Sequence, residues 1–291
     1  MTGLPVRLAA PLTLLLAPVL AVQGLRVRRG TPRLPEASGP RAGTVLGPGQ
    51  GPNPASPPGP VPGPVSGPVS GPVSGAVSGP VSGPVSGRGS REALRVAVLG
   101  ESTAAGVGAE THEEGLAGCL ARALAVRAVR PVRWQVVARS GINTRTTAAE
   151  LVPLLEAADA VVVALGVNEL LELNRPLRFG HQLRGLVGAV RERIPGVPIL
   201  MAGMPPVSRF PALPQPLRTV MGLRARALDR VIREVAAGAD GVTHVAVDVP
   251  VELAGFFARD GFHPSAMGYE AWAEGLATAL SEILADARAV V

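Results

Sequence analysis

The sequence of 291 residues contains no lysine and only one cysteine. Phosphate-binding loops commonly use a lysine ammonium group, so its absence weighs against a nucleotide-binding interpretation of the glycines around position 100. Cys119 has no second cysteine to pair with, and therefore no intramolecular disulfide bond can form. Cys119 lies in an apolar helical pattern, which indicates a small core residue.

The positive net charge is confined to the N-terminal third of the chain. The formal net charge is +6, and the residues before Leu94 carry eight arginines against two acids, Glu36 and Glu92. The remaining 20 arginines and 20 acidic residues cancel. The rest of the chain therefore lacks the positive surface charge typical of nucleic-acid binders, and no nucleic-acid partner is predicted.

Residues 35–90 are dominated by glycine, proline, serine and valine, and Pro-Val-Ser-Gly repeats run from Pro64 to Gly87. This composition offers too little large apolar surface to offset the entropy lost on ordering. Glycine recurs every fourth residue, which excludes a collagen helix. We therefore predict a hydrophobic segment at 1–30, a disordered linker at 31–92 and one folded domain at 93–291.

The hydrophobic segment, Leu8 to Leu25, is uncharged, with Arg7 before it and Arg26, Arg28 and Arg29 after it. Eighteen residues is short for a bilayer span, and a cleaved signal peptide leading to secretion is the alternative. The surplus of arginines after the segment favours an uncleaved membrane anchor, with the membrane face left open.

The predicted domain alternates apolar runs with helical stretches. The spacing predicts five strands, at 96–99, 134–138, 160–165, 197–202 and 243–247. Helices are predicted between and after them at 115–129, 147–157, 179–194, 217–237 and 265–287. This order is typical of a three-layer α/β fold whose parallel sheet is covered on both faces.

Polar and glycine residues follow several of these strands, where open parallel sheets bind their ligands. Ser102 has the hydroxyl of a nucleophile, His263 can act as its base, and Asp260 can orient the imidazole. The backbone N–H groups of Ser102 and Gly141 and the side-chain amide of Asn168 can stabilise a developing oxyanion.

Each of these residues has a simpler interpretation when it is taken alone. Ser102 could cap the following helix, and Asn168 could serve as a turn or cap residue. Gly141 could relieve a strained turn, Asp260 could be a turn residue, and His263 could be an ordinary loop histidine. Their combination in this order at strand ends favours a catalytic site.

Four motifs resemble the sequence blocks of the SGNH (GDSL-type) esterase and lipase superfamily: Gly100-Glu-Ser-Thr, Gly141, Gly166-Val-Asn-Glu and Asp260-Gly-Phe-His. The resemblance implies a flavodoxin-like five-stranded parallel sheet, with neither cofactor nor metal. It also implies a triad of Ser102, His263 and Asp260, and an oxyanion hole of Ser102, Gly141 and Asn168.

The chain departs from the family pattern at three places. Glu101 and Glu169 stand where the family usually has aspartate, and each lengthens a side chain by one methylene. Arg139 and Ser140 precede Gly141 where the family usually has asparagine. These changes remove no catalytic group, so we expect them to affect rate and local geometry rather than reaction class.

The resulting expectation is a serine esterase that cleaves carboxylic esters through an acyl-enzyme. The resemblance allows lysophospholipids, simple esters or acetyl groups on sugars as substrates, and the predicted anchor favours lipid esters. A carbohydrate O-deacetylase of the same fold, or a non-catalytic binding module, is the alternative. A nucleotide-binding domain is disfavoured, because the glycine spacing fits neither phosphate-loop pattern.

Overall fold

The computed structural model describes residues 4–48 and 92–289, and its centre is one sheet. The strands are β1 (Ala42–Val45), β2 (Leu94–Gly100), β3 (Val132–Ala138), β4 (Ala160–Ala164), β5 (Ile199–Ala202) and β6 (Val242–Val245). Their spatial order is β1-β3-β2-β4-β5-β6, with β1 antiparallel to β3 and all other neighbours parallel. Without β1 this is the doubly wound order 2-1-3-4-5 of flavodoxin-like sheets.

Helices cover both faces of the sheet: α1 (Leu4–Gly30), α2 (Leu116–Ala128), α3 (Thr144–Thr146), α4 (Val167–Leu171), α5 (Pro176–Arg193), α6 (Leu217–Ala237) and α7 (Ala266–Ala289). On one face α2 and α7 enclose a core around Val98 and Trp134. On the other face α5 and α6 enclose a core around Leu99 and Phe179. The predicted three-layer α/β class is confirmed.

Two predictions about the sheet need correction. The sheet has six strands rather than five, and the added strand β1 lies inside the region 31–92 that was predicted as linker. A Cβ atom at Gly43 would lie 2.7 Å from Trp134 Cζ2, so a glycine lets β1 pack beneath this indole ring. Residues 49–91, with the Pro-Val-Ser-Gly repeats, lie outside the described residues, and the other predicted domain boundaries stay predictions.

The hydrophobic N-terminal segment lies in α1, whose second half packs against the domain. Leu20 and Val27 contact the core beneath α6. Gln23 donates a hydrogen bond to the Gln215 carbonyl and accepts one from the Leu217 N–H at the start of α6, at 2.6 and 3.1 Å. No helix within the described residues is long and apolar enough to cross a membrane. The membrane anchor stays a prediction.

Candidate active site

Ser102 lies just beyond the carboxyl end of β2, between the ends of β3 and β4. The chain after it forms a series of turns, and α2 begins only at Leu116. Ser102 therefore does not cap the following helix, and that alternative interpretation is wrong. The Val107 N–H donates to the Ser102 carbonyl at 3.0 Å, which closes the turn that presents the hydroxyl.

The structure brings Ser102, His263 and Asp260 together in one hydrogen-bonded chain. Ser102 Oγ lies 2.9 Å from His263 Nε2, and His263 Nδ1 lies 2.6 Å from Asp260 Oδ2. The side chain of His263 is 17% exposed and that of Asp260 is 1% exposed. This geometry allows His263 to accept the hydroxyl proton while Asp260 holds the ring and its Nδ1–H.

A tight turn fixes Asp260 beneath His263. Asp260 Oδ1 accepts the backbone N–H groups of Phe262 and His263 at 2.9 and 3.0 Å. Burial alone would raise the pKa of Asp260, but the hydrogen bond from the His263 ring and the two backbone donors bring it below its ordinary value. Asp260 is therefore ionised at neutral pH and can stabilise an imidazolium at His263.

Gly141 and Asn168, the other residues predicted for the oxyanion hole, follow the two strands that flank β2. Gly141 has a backbone φ of +76°, a left-handed conformation that glycine adopts without steric cost. Asn168 donates one Nδ2 hydrogen to the Ile142 carbonyl at 2.7 Å, which ties the loop after β4 to the loop after β3. The second Nδ2 hydrogen has no partner among the described residues, so it is available to a ligand.

Glu101 supports the Asn168 loop from beneath. This side chain is buried, and its two oxygens accept the backbone N–H groups of Val167 and Asn168 at 2.8 and 3.0 Å. Burial, and then the nearby charge of Glu169, raise the pKa of Glu101 to about 8, although backbone donors oppose the shift. The longer side chain at position 101 therefore takes part in building the loop.

Glu169 supports the loop on the opposite side. It is fully buried, and its Oε1 accepts the Thr144 N–H at 2.5 Å, close after Gly141 in the chain. Its other oxygen, Oε2, has no partner among the described residues. Two buried carboxyl groups thus lie behind the loops of Gly141 and Asn168.

An apolar cavity of about 50 Å³ opens beside Ser102 and His263. The chain has five phenylalanines, and four of them line this cavity together with Trp272. Phe262 packs edge-on against the His263 ring with centroids 5.3 Å apart, and Phe210 packs edge-on against Phe262 at 5.2 Å. The stretch 204–211 after β5 contributes Pro205 and Phe210 to the wall.

The structure thus brings three of the predicted residues into direct contact and places the other two on adjacent loops, while their catalytic roles stay predictions. The sequence analysis identified Glu101 and Glu169 only as departures from a pattern and did not predict their bracing contacts. It also missed Glu36, which contacts the Gly141 loop from the predicted linker. The apolar strand ends around positions 101 and 169 imply burial, and a buried acid needs partners; no comparable signal marks Glu36.

The fold and the site define a three-layer α/β protein with a serine–histidine–aspartate arrangement at the carboxyl edge of its sheet. The profile of the GDSL-like Lipase/Acylhydrolase family matches residues 98–271, which is more than half of the chain. The chain belongs to this family.

One curated relative is a GDSL-like esterase of Mycobacterium tuberculosis, 28% identical over 208 residues. The match covers 66% of this chain and 63% of the relative, so it spans less than two thirds of that protein.

Solved structures share the fold at lower sequence identity. TesA is 23% identical with a TM-score of 0.52, covering 65% of this chain and 99% of its own. An inhibitor-bound aryl esterase of M. smegmatis is 19% identical with a TM-score of 0.52, covering 66% and 100%. A family 3 carbohydrate esterase of Clostridium thermocellum is 17% identical with a TM-score of 0.52, covering 67% and 98%.

Proposed function

We propose that this protein is a serine esterase that hydrolyses small carboxylic esters through a covalent acyl-enzyme. The observation that carries the proposal is the unbroken hydrogen-bonded chain from Ser102 Oγ through both ring nitrogens of His263 to Asp260. Membership of the GDSL-like family supports the same reaction class.

Ser102 Oγ attacks the ester carbonyl carbon while its proton passes to His263 Nε2. The imidazolium, stabilised by Asp260, then gives this proton to the leaving alkoxide, and the alcohol departs from the acylated serine. A water molecule attacks the acyl-enzyme while His263 Nε2 accepts its proton. The tetrahedral intermediate then collapses: the bond from the acyl carbon to Ser102 Oγ breaks, the acid is released, and His263 returns the proton to Ser102 Oγ.

The negative charge that develops on the carbonyl oxygen in both steps needs donors that are already in place. The backbone N–H groups of Ser102 and Gly141 and the free hydrogen of Asn168 Nδ2 fill this role. The bond from Asn168 to the Ile142 carbonyl supports the assignment, because it holds the amide in one orientation beside the Gly141 loop.

The size of the cavity supports an ester with a compact apolar group. A volume of about 50 Å³ is small beside the roughly 150 Å³ of a cavity that binds benzene. It therefore favours a short acyl group, from acetyl to butyryl, over a long fatty acyl chain. The aromatic wall would exclude water from such a group.

The small cavity also supports a second candidate, a carbohydrate O-deacetylase, because acetyl is a short acyl group. The two candidates share the acyl side and the catalytic residues, and they differ only in the alcohol. A comparison of p-nitrophenyl acetate with acetylated xylan or an acetylated monosaccharide distinguishes them.

The test is the rate of hydrolysis of p-nitrophenyl acetate, butyrate, octanoate and palmitate by the full chain and by Ser102→Ala. We expect kcat/KM to be highest for acetate or butyrate and to fall for the longer chains, because the cavity is small. Ser102→Ala should lose activity on every ester, because no nucleophile remains. Ser281→Ala, a serine of α7 that does not line the cavity, serves as the matched control.

Full activity of Ser102→Ala, or no labelling of folded wild-type protein by a fluorophosphonate probe, would contradict the serine esterase. A preference for palmitate would contradict only the proposed short acyl group, and it would favour the lipid esters expected from the sequence.

A further inference from the structure

A segment before the Pro-Val-Ser-Gly repeats crosses the loops that carry both Ser102 and Gly141. We call residues 36–45, which include β1, the N-terminal strap. Near its start, Ala37 donates its N–H to the Ala105 carbonyl and Ser38 donates its N–H to the Glu110 carbonyl, at 3.1 and 2.9 Å. The strap is therefore attached to the turns that follow Ser102.

The strap also binds the loop that carries Gly141. Glu36 Oε1 accepts the backbone N–H of Ser140 at 2.6 Å. The other oxygen of Glu36 pairs with Arg41, and Arg41 Nη1 donates to the Ala138 carbonyl at 2.7 Å. Two residues of the strap thus hold the backbone on both sides of Arg139, directly before Gly141.

Gly141 itself has few contacts that fix its position. Gly141 is exposed, and a Cβ atom built on it would meet no atom within 4 Å. Packing therefore does not restrain Gly141 itself, and its position depends on its neighbours: the buried Ile142 on one side and the hydrogen bonds at Arg139 and Ser140 on the other. On the far side the loop is held at Ile142 by the Asn168 amide, and on the near side it is held at Ser140 by Glu36.

We propose that Glu36, oriented by Arg41, is a positioning residue that fixes the Gly141 N–H for its part in the oxyanion hole. The proposal rests on the esterase function proposed above. A donor that moves by about 1 Å can cost as much as 10²-fold in rate, so a hydrogen bond at the adjacent residue matters far more for catalysis than for stability. The strap is accordingly part of the catalytic unit.

A purely structural role would have a different signature. The Glu36 and Arg41 side chains are 27% and 45% exposed, and an ion pair at such a surface contributes little to stability. Loss of the pair should therefore leave the melting temperature nearly unchanged. Loss of the positioned N–H should lower kcat, because the oxyanion forms only as the reaction proceeds.

The experiment compares Glu36→Ala, Glu36→Gln and Glu274→Ala with wild type in the full chain, by kcat, KM and melting temperature on p-nitrophenyl acetate. Glu274 pairs with Arg127 between α7 and α2, away from the site, and serves as the matched surface control. We expect Glu36→Ala to lower kcat roughly 10- to 100-fold with KM within about twofold of wild type. Glu36→Gln keeps an oxygen that can accept the Ser140 N–H, so it should recover a large part of this loss.

Three outcomes would overturn the inference: kcat of Glu36→Ala equal to that of Glu274→Ala, a change in KM alone, or a Gln variant as slow as the Ala variant. If Glu36→Ala does not fold, Glu36→Gln decides. A wild-type kcat and an unchanged melting temperature for Glu36→Gln support the acceptor role of Glu36. A tenfold loss of kcat refutes it. Failure of the proposed function is distinguishable, because wild type would then lack Ser102-dependent hydrolysis in the same assay.

Discussion

The two halves of the site are built in different ways. The nucleophile half uses a base and an acid three residues apart in one turn, and a single long-range contact joins them to Ser102. The oxyanion half comes from three loops. Carboxyl groups hold two of them: Glu101 and Glu169 are buried behind these loops, and Glu36 belongs to the N-terminal strap. The acid and base of the first half are close together in the sequence, whereas the donors and supports of the second half come together only after the chain has folded.

This difference predicts how each half responds to substitution. Removing a member of the nucleophile half removes a chemical step. Removing a member of the oxyanion half, or one of its braces, leaves the chemistry possible but stabilises its transition state less. The effects should therefore fall in a graded order from the triad to the oxyanion donors and then to the buried carboxyl groups.

The largest effect is expected for His263→Ala. Without the imidazole nothing accepts the Ser102 proton, and kcat should fall by roughly 10⁴–10⁶ on p-nitrophenyl acetate. Asp260→Asn should cost about 10⁴, because the ring loses the partner that fixes its tautomer. Activity assays with circular dichroism as the folding check measure both, and His181→Ala, an exposed histidine of α5, is the control. A kcat within tenfold of wild type in either variant would contradict the assignment of the triad.

An intermediate effect is expected for Asn168→Ala. The variant loses one oxyanion donor and the bond to the Ile142 carbonyl, and kcat should fall by about 10²–10³ while KM changes little. Asn143→Ala is a suitable control, because this asparagine caps α3 in the neighbouring loop after β3 through Thr146. If the two variants were equally slow, Asn168 would act on loop structure rather than on the oxyanion.

Much of the fold could be predicted from local patterns. The helix expected at 217–237 is α6, because a long amphipathic repeat determines its own bounds. The parallel strands appear as apolar runs, and two of them, β4 and β5, are buried along their whole length. The helix expected at 147–157 is instead a series of short turns from Thr144 to Leu154, which includes Pro153.

What could not be predicted depends on distant partners. The four residues of β1 include a glycine and border a proline-rich segment, so only pairing with β3 and the cover of Trp134 explain the strand. Glu36 lies 104 positions before the Ser140 N–H that it accepts. The proximity of Glu101 to Glu169, which determines the pKa of Glu101, likewise arises from the pairing of β2 with β4.

The smallest effect on rate, and the clearest effect on stability, is expected for Glu101→Gln. The pKa of Glu101 is raised to about 8 from an ordinary value of 4.5, so between these values the folded protein binds a proton that the unfolded chain has lost. This carboxyl group therefore stabilises the fold at low pH, and its contribution is lost as the pH rises from about 4.5 to about 8.

Urea unfolding of wild type and Glu101→Gln at several pH values from 5 to 9 measures this contribution as a difference between the two proteins. The subtraction removes contributions that are common to both proteins, among them that of His112, whose pKa burial lowers. Near pH 5 the variant should be less stable by about 1–3 kcal/mol, because an amide nitrogen replaces an oxygen that accepts a backbone N–H. The gap should close as the pH rises to 8, since only wild type then acquires a second buried charge beside Glu169. A difference in the free energy of unfolding that stayed constant or widened with pH would mean that Glu101 is ionised throughout. The two backbone N–H donors would then lower the pKa of Glu101 more than burial raises it.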